Sequence, residues 1–185
     1  MPHVLIYDQR NMPLSEDRKD NSDCSFATSS IQCLNHAVEN VPERIFIYFH
    51  KNCLKIRTEL LELCNALKSN RYTKRIPIIV ILDEKNRPLI ETLSNIGIEY
   101  VKFEEECTLQ VDRFATCLQT SESDRIKHRL KELCPYLHYK QINASNEMPV
   151  CSAYYRILAI GSNRLKRYCE NIKYVECNYY KNPKS

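Results

Sequence analysis

Two segments of the chain, Ile45-Phe46-Ile47-Tyr48-Phe49 and Ile78-Ile79-Val80-Ile81-Leu82, are apolar at every position. A strand with one wet face alternates in polarity. A strand that is apolar throughout has both faces covered, which is the condition of strands inside parallel sheets. Each of these runs is followed by a segment of helical periodicity. Residues 54–68 carry Leu54, Leu60, Leu61, Cys64 and Leu67 on one stripe. Pro88 opens a second helix with Leu89, Leu93 and Ile96 on its stripe and Gly97 as its C-cap.

The same alternation extends in both directions. His3–Tyr7 and residues 24–30 read as short strands, and Ile31, Leu34, Ala37 and Val38 as a helix stripe that ends before Pro42. Residues 98–103 read as a further strand, and a helix is predicted over 107–119 with Leu109, Phe114 and Leu118. Residues 9–23 are polar and read as a loop. Strands alternating with helices in this way predict an α/β fold, a parallel sheet with helices on both faces and right-handed crossovers.

Composition removes several function classes. Two glycines, Gly97 and Gly161, are too few to write a dinucleotide fingerprint, a P-loop or a nucleophile elbow. No apolar run approaches the roughly 18 residues a membrane span needs. The first residues, MPHVLIYDQR, carry no basic stretch ahead of their short apolar run, so a secretory leader is not expected. The reading is a cytoplasmic protein with no membrane association, and not an enzyme. Ten cysteines in a chain of that location point to metal binding or free thiols more than to disulfides.

After Cys134 the strand–helix alternation stops and the composition turns to Tyr and Cys. Ser121–Asp124 is the expected break, dividing the chain into units 1–120 and 121–185, the second irregular or helical. Residues 1–120 carry 15 Lys and Arg against 17 Asp and Glu, whereas 121–185 carry 12 against 6. The second unit is therefore the basic one, suited to an anionic cofactor or partner.

The first 120 residues resemble the receiver domain of bacterial response regulators. The stretches that carry the resemblance are FATSSIQCLNHAVENVPERIFIYF, LLELCNALKSNRYTKRIPIIVIL and LIETLSNIGIEYVKF. It implies a flavodoxin-like sheet. It also implies where a receiver's phosphotransfer residues would stand, and most are absent. The third strand ends in Tyr48-Phe49-His50, with no carboxylate to accept a phosphoryl group. The acidic pair after the first strand is reduced to Asp8, the hydroxyl position is Leu82 followed by Asp83, and only Lys102 stands at the family's lysine. One carboxylate and one lysine do not make the oxygen cage that Mg²⁺ requires. The expectation is a degenerate receiver without phosphotransfer.

Six cysteines (24, 33, 53, 64, 107 and 117) fall within the receiver-like part, where small buried hydrophobes are expected. The other four, Cys134, Cys151, Cys169 and Cys177, lie in a segment with too little aliphatic content for a core of its own. Four thiolates satisfy a tetrahedral zinc or a 4Fe-4S iron–sulfur cluster. Zinc sites take ligands in close pairs, and none is present here. Wide spacing and the Cys134-Pro135 pair favour the iron–sulfur cluster as cofactor. Zinc, unliganded thiols and two disulfides stay open as alternatives, and His138 is a candidate substitute ligand. Tyr136, Tyr139, Tyr154, Tyr155, Tyr168, Tyr174, Tyr179 and Tyr180 are expected to wrap the site, and Lys140, Arg156, Arg164, Lys166, Arg167 and Lys173 to offset its charge. The segment CPYLHY…CSAYYR…RLKRYCENIKYVECNYY is similar to small four-cysteine modules of anaerobe proteins, which implies the same iron–sulfur site.

The function expected is redox or metal sensing and signalling through a protein partner, with a homodimer as one form. The alternatives are a zinc-stapled interaction module and a low-potential electron-transfer protein. Nucleic-acid binding by the basic second unit is the weaker expectation.

Overall fold

The computed structural model describes residues 3–9, 24–49, 54–104, 120–143, 146–153 and 158–184. His50, Cys53, Cys107, Cys117, Tyr154, Tyr155, Arg156 and the helix expected at 107–119 lie outside them, as does nearly all of the polar stretch after Gln9.

Five parallel strands form the main sheet: β1 (Val4–Tyr7), β2 (Cys24–Ala27), β3 (Arg44–Phe49), β4 (Ile78–Leu82) and β5 (Tyr100–Phe103). Their order is β2-β1-β3-β4-β5, the flavodoxin-like order, with every neighbouring pair parallel. The α/β class expected from the continuous apolar runs is the class observed, and β1, β3 and β4 are buried at nearly every position.

The connecting helices are α1 (Ser30–Asn40), α2 (Leu54–Ser69) and α3 (Arg87–Ile96). Ser29 caps α1, its hydroxyl accepting from the Gln32 N–H at 3.2 Å. Asn86 caps α3 by accepting from the Leu89 N–H at 3.1 Å, and Gly97 closes that helix at φ 95°, a conformation a side chain would resist. All three helices pack on one face of the sheet, where Leu5, Ile47, Val80 and Val101 meet Cys33, Ala37, Leu60, Cys64, Leu67, Ile90 and Leu93. Of the expected α1 stripe, Ala37 is buried and Leu34 packs on the core, with Cys33 buried beside them, while Ile31 is 75% exposed. The other sheet face buries Val4, Ile6, Phe46, Tyr48, Ile79 and Ile81.

At the start of the next described segment, Ser121 and Asp124 form a reciprocal capping box. The Ile126 N–H donates to Glu99 O at 3.0 Å beside the edge strand β5, so the chain just past residue 124 still packs with the main sheet. Helix α4 (Ile126–Glu132) buries Ile126 in the main core, joined there by Leu133.

The remaining chain forms a second sheet rather than an irregular or purely helical unit. It is antiparallel, in the order β6 (Leu137–Gln141), β7 (Glu147–Cys151), β8 (Leu158–Ala159). Sequence alternation hides it because β7 carries Pro149 and β8 has only two residues. Short helical turns follow at Ser162–Arg164, Leu165–Cys169, Ile172–Glu176 and Asn178–Lys181.

Candidate metal centre

The four C-terminal cysteines come from four different local structures. Cys134 follows α4 in a turn closed by the Leu137 N–H donating to Cys134 O at 3.1 Å. Cys151 ends β7, paired with Leu137 on one side and Leu158 on the other. Cys169 ends a π-helical turn, a geometry that recurs at functional sites. Cys177 precedes the last helical turn, and its carbonyl accepts from the Lys181 N–H at 3.0 Å.

These pieces converge. The Cys134 N–H donates to Cys169 O at 2.9 Å, which ties the first cysteine to the third across 35 residues of chain. All four are buried, at 5–8% exposure, and all four line one small cavity. Its wall is completed by Tyr136, Tyr168, Tyr174, Tyr179, Tyr180, Leu158, Ile160 and Arg164. Tyr180 is an edge-on partner of both Tyr174 (5.0 Å between centroids) and Tyr136 (5.9 Å). The expected tyrosine wrap is thus present for these residues, and Tyr139 packs on the same cysteine cluster while also lining a different cleft. His138 is exposed on β6 and away from the cavity wall.

No described cysteine is disulfide-bonded. Burial pushes the Cys169 thiol up to about 12, and the neighbouring Cys134, Cys151 and Cys177 add to the rise. Burial also raises Cys134 and Cys151, partly offset by a backbone interaction at Tyr136 and at Ala153 respectively. The mutual influence of the four sulfurs is a second sign of their proximity. Among the described residues, no three His, Cys, Asp or Glu side chains are close enough to hold a single metal ion.

The register of the parallel strands sets the residues at the receiver positions toward one carboxyl end of the sheet. Lys102, on β5, is buried and ion-paired with Asp124 at 3.6 Å, and Asp124 also accepts from Arg129 at 3.0 Å. Asp8 donates its backbone N–H to Ala27 O at 3.1 Å. Leu82 is buried in the core, and Asp83 lies on the wall of a second, larger cleft of about 470 Å³. Sequence reasoning missed that cleft. It opens at the carboxyl ends of β4 and β5, between Arg57, Glu84, Lys85 and Phe103 on one side and Tyr139, Glu147, Lys166 and Glu170 on the other. Glu147 bridges the two sides, ion-paired with Arg57 and accepting from Asn86 Nδ2 at 3.4 Å. Only the long-range pairing of β7 with the α2 and α3 termini creates it, and no local pattern signals that pairing. Among the described residues no helix is long and apolar enough to cross a membrane.

No protein-family profile matches the chain. No curated protein matches it. Solved structures similar to it include a response regulator from Desulfuromonas acetoxidans, at 16% identity and a TM-score of 0.42, covering 63% of this chain and 98% of that one. The Salmonella typhimurium response regulator RcsB is similar at 17% identity and a TM-score of 0.47, covering 73% of each chain. The response regulator Rcp1, in its Mn²⁺-bound form, is similar at 15% identity and a TM-score of 0.40, covering 66% of this chain and 93% of that one.

Proposed function

We propose that the chain is a regulatory protein, not an enzyme. In this reading a receiver-like scaffold has given up phosphotransfer and carries an iron–sulfur cluster on Cys134, Cys151, Cys169 and Cys177. One observation carries the reading: four cysteines from four separate elements are buried around one cavity with no disulfide among them. Four thiols drawn from four separate elements to one cavity are the arrangement a four-cysteine ligand set needs. The wide spacing of the four cysteines along the chain favours a polynuclear centre over one zinc ion, and the surrounding tyrosines would limit solvent access.

The cavity is only about 10 Å³, room for about one water-sized sphere. Seating a cluster therefore requires the segments bearing Cys151, Cys169 and Cys177 to part and the tyrosine ring to move outward. That displacement is the proposed signal. Cys134 stays tied to α4, while the helical turns from Ser162 to Lys181 take up the change and alter a surface read by a protein partner, with self-association as one form. When bound, such a cluster supplies a one-electron couple and an oxygen-sensitive tie between the four segments. A reducing compartment such as the cytoplasm suits it.

Air exposure of anaerobically prepared protein tests the sensing. Visible absorption and oligomeric state are expected to change together. Absorption that bleaches while mass and partner binding stay constant points instead to electron transfer, and a metal-loaded but colourless protein indifferent to air points to a zinc staple.

A further inference from the structure

We infer that the larger cleft, between the carboxyl end of the main sheet and the second sheet, is a binding site for a small zwitterion of the free amino acid class, which carries an ammonium and a carboxylate on one short frame. The inference goes beyond the regulatory reading above and stands whether or not the sulfur quartet holds a metal centre.

Strand alternation builds the floor of the cleft. Tyr139 on β6 lies opposite Pro149 on β7, and Glu147, two residues before Pro149, shares their face. The first turn of α2 and the ends of β4 and β5 form the facing wall, and the space enclosed is about 470 Å³. Small-molecule sites occupy roughly 300–1,000 Å³. Open α/β sheets bind ligands in crevices outside the carboxyl ends of their strands, which is where this cleft lies.

The charges on the walls select the ligand. The main-sheet side contributes Arg57, Asp83, Glu84 and Lys85. The second side contributes Glu147, Lys166 and Glu170. Both signs therefore stand on both walls, three cations against four carboxylates. A simple anion in the cleft meets the carboxylates, and a simple cation meets the basic side chains. A dipolar ligand can turn so that each of its ends meets the opposite sign. Among the described residues, no three acidic side chains are close enough to hold one metal ion, so the acids do not form a site for a point charge.

The Arg57–Glu147 ion pair, joined by Asn86 Nδ2 at 3.4 Å, is internal to the wall. Tyr139 marks where the other acids meet. Burial raises the pKa of its phenol, and Glu170, Glu84 and Glu147 raise it further, so carboxylates from both walls surround it. The ligand's ammonium is assigned to Glu84 and Glu170 beside this phenol, and its carboxylate to Lys85 and Lys166. Lys85 is held over the Phe103 ring, with Nζ 5.2 Å from the centroid, which fixes a cation on the wall. Leu54 and Leu165 add apolar surface that a ligand side chain would cover.

The test uses the full chain purified anaerobically, with iron and sulfide measured on the same preparation. Each of the twenty common amino acids is a probe, read by thermal shift and then by titration calorimetry. At least one is expected to bind saturably, and its decarboxylated amine and deaminated acid each to bind about tenfold more weakly, the loss of one charged contact. Glu84→Gln and Lys166→Gln are each expected to weaken binding by about tenfold, and Tyr139→Phe by about threefold. Lys127→Gln, exposed on α4, is expected to match wild type. Binding by none of the amino acids overturns the inference. So does an amine or acid alone that binds as tightly as its parent, and so does full affinity in folded E84Q and K166Q. Should E84Q fail to fold, wild-type affinity in K166Q still overturns it. Binding in a preparation holding neither iron nor sulfide supports this inference while the iron–sulfur reading fails.

Discussion

Arg87, the first residue of α3, donates through Nη1 to the carbonyl oxygen of Leu133 at 2.7 Å, and Leu133 is the residue immediately before Cys134. The same nitrogen donates to Leu130 O at 2.8 Å, while Nε pairs with Glu91 at 2.8 Å. One side chain thus closes the C-terminal end of α4 and ties the segment leading to Cys134 to a helix of the main sheet. Charged hydrogen bonds of this kind contribute about 1.5–3 kcal/mol. Arg87→Ala is expected to lower unfolding stability by about 2 kcal/mol and to speed loss of the bound centre; chemical denaturation and the rate of bleaching under a chelator measure the two effects. Lost stability with an unchanged bleaching rate would show that Arg87 supports the fold without supporting the site.

The ten cysteines are expected to separate by role. Replacing Cys134, Cys151, Cys169 or Cys177 singly by Ala abolishes or strongly depletes bound iron while the circular dichroism of the main sheet persists. Replacing Cys33 or Cys64 by Ala leaves iron content unchanged and costs about 1 kcal/mol of stability, since both are buried core side chains at 0% exposure. Iron content that falls equally in both groups would contradict the division.

Cys33 and Cys64 also set an alkaline limit. Burial pushes both thiols up to about 12, and for Cys64 the nearby Cys33 adds to the rise. A raised folded-state pKa means that unfolding releases a proton at alkaline pH. The stability they contribute is therefore complete below the ordinary thiol value of 9.0 and is lost as pH rises from there through about 12. Unfolding midpoints measured between pH 8 and 11 are expected to fall with pH in wild type, and to fall less steeply in the Cys33→Ala, Cys64→Ala double variant. Parallel slopes would contradict this.

Phosphotransfer is expected to be absent. Lys102 is ion-paired with Asp124, and β3 closes on the buried aromatic Phe49. Acetyl phosphate with Mg²⁺ is expected to leave the mass of the intact protein unchanged. A gain of one phosphoryl group would return the chain to the phosphorylated receivers.

What the sequence made legible was what local pattern controls. Runs without a polar residue announced β3 and β4, Gly97 announced the end of α3, and Ser121 with Asp124 announced a cap before α4. On the α1 stripe Ile31 was misplaced, since it is apolar yet exposed, whereas Ala37 is buried and Leu34 packs on the core as expected. The second sheet was illegible because its register rests on pairing between segments with mixed polarity, such as Tyr139 opposite Pro149. For the sulfur site, cysteine count and spacing named the four residues that share the cavity. They gave no sign that Arg164, and not its more exposed basic neighbours, would face the sulfurs.

The most direct measurement is metal and acid-labile sulfide analysis, with a visible spectrum, on protein purified without exposure to air. The expected result is a brown protein with about four iron and four sulfide per chain, as the 4Fe-4S type requires. A folded, colourless protein containing neither iron nor sulfide would contradict the central claim.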